Sequence, residues 1–177
     1  MVANLHRMQL PREVVVGNNT LDQIGAICKR LDFSNSALIV MGPKTMEIAG
    51  RKAMDILTHE GLKIDQLVVT SCNIKDIVFV EDKIEELKPQ VIIGIGGGTK
   101  IDVAKISASH KDKPFISIPT TASHDGIASP LVSLKGLDKP YSLMAQAPMA
   151  IVADTDVIIN SSYRFTASGC ADVVAKL

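Results

Sequence analysis

The chain has 177 residues, 46% hydrophobic and 21% charged, with 19 basic side chains balanced by 19 acidic ones. That length supports a domain with a real core. Zero net charge argues against a nucleic-acid partner, and 3% aromatics without Trp argue against a base-stacking platform. Three widely spaced cysteines, Cys28, Cys72 and Cys170, make no CxxC pair. Neither a zinc site nor a disulfide framework is signalled, and buried free thiols in a reducing compartment are expected. No apolar run approaches the ~20 residues of a membrane span, and the opening segment lacks the apolar stretch of a secretory signal. The expectation is a soluble cytoplasmic protein.

Short runs rich in Val and Ile recur at 13–16, 37–41, 67–70, 91–95, 115–118 and 150–153. Several are apolar at every position, the pattern of strands buried on both faces of a parallel sheet. Between the first two, residues 21–31 place Leu21, Ile24, Ile27 (or Cys28) and Leu31 on one helical face, with Thr20 as N-cap. A helix over 44–59 follows Gly42-Pro43 and ends near Gly61. Another over 76–87 stops before Lys88-Pro89, and a third over 100–110 begins directly after a glycine cluster. This alternation predicts an α/β fold with a doubly wound, Rossmann-like parallel sheet. Residues 129–144 break the rhythm with two short apolar pieces around Lys135-Gly-Leu-Asp-Lys-Pro140, which predicts a projecting β-hairpin. After Asp154, Asn160-Ser-Ser reads as a loop and cap signal, and 167–177 as a helix. The expected organisation is a dinucleotide-binding domain over 1–160, with 161–177 the first helix of an all-helical domain that is mostly missing.

Three segments carry chemistry. In VIIGIGGGTKIDVAK, residues 91–105, a buried strand runs into consecutive glycines and then a helix. Glycines let backbone approach a phosphate, and a helix N-terminus supplies N–H donors and a favourable dipole. No glycine precedes Lys100, so this is not a Walker A loop, and the third glycine of GxGxxG would fall at Thr99. A ligand-free strand-to-helix turn reads the same glycines, with Asp102 as a first-turn acid suiting the dipole. In IPTTASHDGIASP, residues 118–130, hydroxyl side chains crowd the carboxyl end of a strand, where parallel α/β sheets bind ligands. A capped loop with a solvated His124 fits equally. In GCADVVAK, residues 169–176, Asp172 is a lone carboxylate in an apolar stretch, either paired, metal-bound or an exposed helix acid.

Together these segments resemble the superfamily of iron-containing alcohol dehydrogenases, glycerol dehydrogenases and dehydroquinate synthases. GGGTKIDVAK is similar to the GGGxxxDxAK form of the dehydrogenases and lacks the GF that dehydroquinate synthases place after the Asp. IPTTASHDGIASP resembles the PTTASHDG-type run of the sn-glycerol-1-phosphate dehydrogenase family, where glycerol dehydrogenases carry a PTxASTDAPTS-like version. LPREVVVGNNTL and GCADVVAK fit that family too, and the resemblance runs from about the tenth residue to the end.

The resemblance implies a cofactor turn of Gly96, Gly97, Gly98, Thr99, Lys100 and Asp102, with Thr120, Thr121 and Ser123 lining the nicotinamide nucleotide. It implies that Ser129 returns to the cofactor, that Asp125 contacts substrate, and that Asp172 ligates a catalytic divalent metal, usually Zn2+, beside the substrate. Asp125 and Asp172 are then the catalytic pair. The family's two other metal ligands are histidines of a C-terminal helical domain, and none of His6, His59, His110 or His124 matches their context. The implied reaction is NADPH- or NADH-dependent reduction of dihydroxyacetone phosphate to sn-glycerol 1-phosphate, for archaeal-type ether lipids. Where many relatives hold an acid after the second strand, this sequence reads Met41-Gly-Pro-Lys-Thr45. Without an acid to repel a 2′-phosphate, NADPH should serve at least as well as NADH, with Lys44 or Thr45 near that phosphate. The implied partners are the small-molecule substrate and the missing C-terminal half, with room for a homo-oligomer. Glycerol dehydrogenase acting on an unphosphorylated polyol is the alternative, as is a nucleotide-binding module without catalysis. Apolar surface is expected near Val173, Val174 and Leu177.

Overall fold

The computed structural model describes residues 9–134 and 141–175. His6, all of residues 135–140, Lys176 and Leu177 lie outside the described residues. In chain order, β1 (Glu13–Gly17) leads through a 3-10 turn (Thr20–Gln23) to α1 (Ile24–Arg30) and β2 (Ser36–Met41). The next helical stretch is interrupted: α2 (Pro43–Thr45), a π turn (Met46–Gly50) and α3 (Arg51–His59). Then follow β3 (Lys63–Val68), α4 (Ile74–Leu87), β4 (Val91–Gly96), α5 (Gly98–His110) and β5 (Phe115–Pro119). A 3-10 turn (Asp125–Ile127) precedes β6 (Leu131–Leu134) and β7 (Tyr141–Met144), and the described chain finishes with β8 (Ala150–Asp154), α6 (Thr155–Ile158) and α7 (Tyr163–Val174).

Six strands form one sheet in the order β1-β8-β5-β4-β2-β3, every pairing parallel. Side chains alternate across each strand, so Ala37, Ile39 and Met41 enter one core with α1 and α3, while Leu38 and Val40 enter the other with α4 and α5. Two buried cores on opposite faces make the doubly wound sheet that the apolar runs predict. β2 connects outward to β3 whereas β4 connects the other way to β5, so the crossovers diverge between β2 and β4. Ligands bind beyond the carboxyl ends of the strands at such a switch point. Thr45 closes its floor: the Gly42 amide donates to Thr45 Oγ1 (2.8 Å), whose hydroxyl reaches the Ile95 carbonyl (3.0 Å). The predicted hairpin forms from β6 and β7 as a separate antiparallel pair.

Four sequence expectations are corrected. The third strand spans Lys63–Val68, not 67–70, because an edge strand pairs on one side and tolerates Lys63, Asp65 and Gln66. Thr20 is not an N-cap: it lies inside the 3-10 turn, and its hydroxyl donates back to the Gly17 carbonyl (3.3 Å). The helix expected over 44–59 is broken by the π turn at Met46–Gly50, where a Cβ on Gly50 would come within 2.4 Å of Met41 Sδ. The last helix begins at Tyr163 rather than 167.

Candidate active site

β4 ends in glycine because the backbone there leaves ordinary strand geometry under another side chain. Gly96 has φ +155°, and a Cβ on it would meet Lys100 Cβ at 2.8 Å. Gly97 stands at the N-cap of α5 in extended conformation, with no side chain to cap the first turn. The first-turn amides are therefore presented at a cleft of about 430 Å3 that Gly98 and Thr99 line. From the next strand, the Thr120 amide donates to the Gly96 carbonyl (3.0 Å), which aligns the end of β5 with the glycine turn. Thr121 Oγ1 lies 3.4 Å from Ser123 Oγ and 3.1 Å from where a Gly97 Cβ would be. The loop then brings His124 over α5. A Cβ on Gly98 would fall 1.8 Å from His124 Nε2, so any larger residue there displaces the imidazole. The Gly126 amide donates to His124 Nδ1 (2.8 Å), which ties the ring to the turn that follows it.

Asp102 and Lys105 lie one turn deeper in α5, both buried. Asp102 Oδ1 is 3.7 Å from Lys105 Nζ, and its Oδ2 accepts from the Ser133 amide of β6 (3.3 Å). The Lys105 ammonium also donates to the Gly126 (2.6 Å) and Leu131 (2.8 Å) carbonyls. Burial raises the Asp102 carboxyl above its ordinary range, opposed mainly by Lys105, and pulls the Lys105 ammonium below its own, opposed mainly by Asp102. Asp102 is thus not the dipole-facing first-turn acid allowed by the sequence. It edges the cleft while anchoring the hairpin.

The far wall is α7. Gly169 packs so tightly that a Cβ there would fall 1.9 Å from the Ala122 carbonyl oxygen. That approach lets Ser168 Oγ donate to the Ser123 carbonyl (3.1 Å) and lets Asp172 Oδ2 accept from the Asp125 amide (2.9 Å). Arg164, Phe165 and Ser168 complete the cleft.

Of the sequence-predicted residues, Gly98, Thr99, Asp102 and Ser123 line this cleft, with Gly96, Gly97, Thr120 and Thr121 packed at its base or rim. Lys100 turns toward β3 and donates to the Thr70 carbonyl (2.8 Å). Asp125 and Ser129 line an adjoining cleft of about 770 Å3 beneath the hairpin. Ser129 Oγ is buried there without a hydrogen-bond partner among the described residues. Asp125 and Asp172 meet, and Asp172 is a half-buried acid bound to the loop, not the freely exposed one that the sequence also allowed. Sequence reading missed Lys105, Ser133, Arg164, Phe165 and Ser168. The last three recur within one helical turn, a spacing that becomes meaningful once Gly169 seats α7 on the loop.

Among the described residues, no group of three His, Cys, Asp or Glu side chains converges to hold a metal ion. Asp172 offers one carboxylate, so the residues present do not by themselves make a metal site.

The sequence matches the family described as iron-containing alcohol dehydrogenase over residues 15–161. A glycerol-1-phosphate dehydrogenase (NAD(P)+) of Methanothermobacter thermautotrophicus is 41% identical over 170 residues, covering 96% of this chain and 48% of that protein. The Pyrococcus furiosus protein of the same name is 40% identical over 173 residues, covering 98% and 50%. The chain thus spans about half the length of the curated relatives it matches. Among solved structures, glycerol dehydrogenase from Schizosaccharomyces pombe superposes with a TM-score of 0.87 at 27% identity, over 96% of this chain and 44% of that one. NADH-dependent butanol dehydrogenase A of Thermotoga maritima shares the fold, with a TM-score of 0.85 at 15% identity over 97% and 49%. No helix among the described residues is long and apolar enough to cross a membrane.

Proposed function

The chain belongs to the iron-containing alcohol dehydrogenase family, and on that premise we propose that it is the nicotinamide-nucleotide half of an NAD(P)-dependent glycerol-1-phosphate dehydrogenase. The reaction is the reversible reduction of dihydroxyacetone phosphate to sn-glycerol 1-phosphate in the cytoplasm, where the product serves as the backbone of archaeal-type ether lipids. The observation that carries this reading is one convergence. The uncapped start of α5, the Thr121–Ser123 hydroxyls and the Asp125–Asp172 contact share the carboxyl edge of β4 and β5. The names of the relatives support the substrate.

Residues 1–160 form the nucleotide-binding unit, and 161–177 open a second, helical one. The helix N-terminus and its glycines receive the cofactor pyrophosphate. Thr120, Thr121, Ser123 and Ser129 hold the rest of the nucleotide, Ser129 through the buried hydroxyl left without a partner among the described residues. Hydride chemistry belongs to the nicotinamide, and this chain supplies orientation and field. Asp125 orients a substrate hydroxyl. Asp172 supplies one carboxylate to a divalent metal, zinc by the usual chemistry of the family, whose ligand set the described residues do not complete. Because Thr45 is engaged in the switch-point floor, exposed Lys44 is the residue set to meet a 2′-phosphate, so NADPH serves at least as well as NADH. A strong NADH preference in kcat/KM would refute that part.

The test is NADPH oxidation with zinc present, comparing dihydroxyacetone phosphate with dihydroxyacetone. The proposal expects strong preference for the phosphate, abolished by Asp172→Ala. Turnover of dihydroxyacetone alone would assign a polyol dehydrogenase. Binding of NADPH without turnover of either would leave a cofactor-binding module.

A further inference from the structure

Lys105 is fully buried, although a methionine would fill similar space without an ammonium to desolvate. Its ammonium donates to two backbone carbonyls and forms an ion pair at 3.7 Å with a carboxylate, on three different segments. Asp102 Oδ1 belongs to α5 itself, the Gly126 carbonyl to the 3-10 turn that contains Asp125, and the Leu131 carbonyl to the start of β6. Its partner Asp102 adds a fourth tie, to the Ser133 amide. α5 is held on the sheet by a continuous run of buried residues from Ile101 to Ala108, whereas the loop between β5 and β6 has only a three-residue 3-10 turn of its own. The buried pair therefore joins a rigid element to an irregular one. Gly126, whose carbonyl Lys105 grips, is adjacent to Asp125, whose amide donates to Asp172.

We propose that Lys105 is a positioning residue: its ammonium pins the Asp125 loop and the base of the hairpin to α5, and so sets where Asp125 meets Asp172. A shift of Gly126 carries the Asp125 amide with it, so losing the pin loosens the Asp125–Asp172 contact while the glycine turn at the far end of α5 stays in place. The consequence for turnover rests on the function proposed above, and the mechanical role does not.

The test is amide hydrogen exchange in the full-length protein. A charge-free double variant, Asp102→Asn with Lys105→Met, avoids stranding one buried charge. The amides of Asp125, Gly126 and Ser133 should exchange about tenfold faster or more, while those of Ile93 and Ile116 in the central strands keep their rates. Asp102→Asn with Lys105→Gln, which is likewise charge-free but keeps a donor for one of the carbonyls, should give a smaller acceleration at the same amides and carries the test if the first double variant does not fold. Unchanged loop exchange, or equal acceleration of loop and strands, would overturn the proposal, because a residue that merely filled the core would give one of those results. With dihydroxyacetone phosphate, kcat should fall about tenfold while KM for NADPH stays within about twofold. If the parent protein does not turn over that substrate, the proposed function fails, and the exchange rates still decide the role of Lys105.

Discussion

Helices α5 and α7 face each other across one cleft, yet they are held in opposite ways. α5 is buried along eight consecutive residues from Ile101 to Ala108, polar ones included, and joins both strands and hairpin. α7 has no buried residue and touches the rest of the described chain through Gly169, Ser168 and Asp172, while Tyr163, Val173 and Val174 are well exposed. The site thus combines a wall that the core of this chain fixes with a wall that a few specific contacts seat. Precision on the α7 side depends on a close glycine contact and two side-chain hydrogen bonds, not on apolar burial.

The sharpest way to break that contrast is to remove the cation from α5. Lys105→Met leaves the Asp102 carboxylate buried without its partner and should cost about 3–5 kcal/mol at neutral pH, read by urea unfolding. The sign of the pH dependence follows from burial, which already raises the Asp102 pKa and which Lys105 opposes. A carboxyl raised in the folded state favours folding below its unfolded range and loses that contribution as pH rises through the folded value. The defect should therefore shrink as the pH is lowered toward the ordinary carboxylate range. A defect that grows on acidification would contradict the assignment.

On the other wall, Gly169→Ala drives a methyl into the Ala122 carbonyl and should cost about 1–3 kcal/mol, confined to α7. The expected signature is faster amide exchange in α7 and at Asp125, with the strands unaffected. Substituting exposed residues of the same helix, as in Val173→Lys or Val174→Lys, should change stability by less than about 0.5 kcal/mol and reduce self-association. Large destabilisation there would mean that α7 is packed as firmly as α5. The smallest effect concerns thiols. Burial pushes the Cys28 thiol up to about 12, Cys72 is also buried, and Cys170 on α7 is exposed. An aromatic disulfide reagent near pH 8 should therefore label Cys170 alone, without loss of fold.

The same contrast explains what the sequence made legible. Strands buried on both faces announce themselves as unbroken Val and Ile runs, and the glycines after β4 mark the turn because few other residues permit its geometry. β3 was misplaced since an edge strand carries polar residues in its ladder. α5 has polar residues distributed around a helix buried on nearly all sides, so no apolar stripe revealed that Asp102 and Lys105 form an internal pair. The α7 wall was legible only as Asp172. The cleft-lining roles of Arg164, Phe165 and Ser168 depend on a contact across 47 residues, Gly169 against Ala122, that no local pattern encodes.

The central claim is that the start of α5 and its glycine turn receive a nicotinamide dinucleotide. Titration of the purified chain with NADPH and NADH, followed by calorimetry, tests it directly when Gly98→Ala is run in parallel. Saturable binding of NADPH at least as tight as that of NADH, weakened about tenfold or more in Gly98→Ala where the new methyl displaces His124, is the predicted result. Absence of binding to the parent chain, or equal binding by the variant, would contradict it.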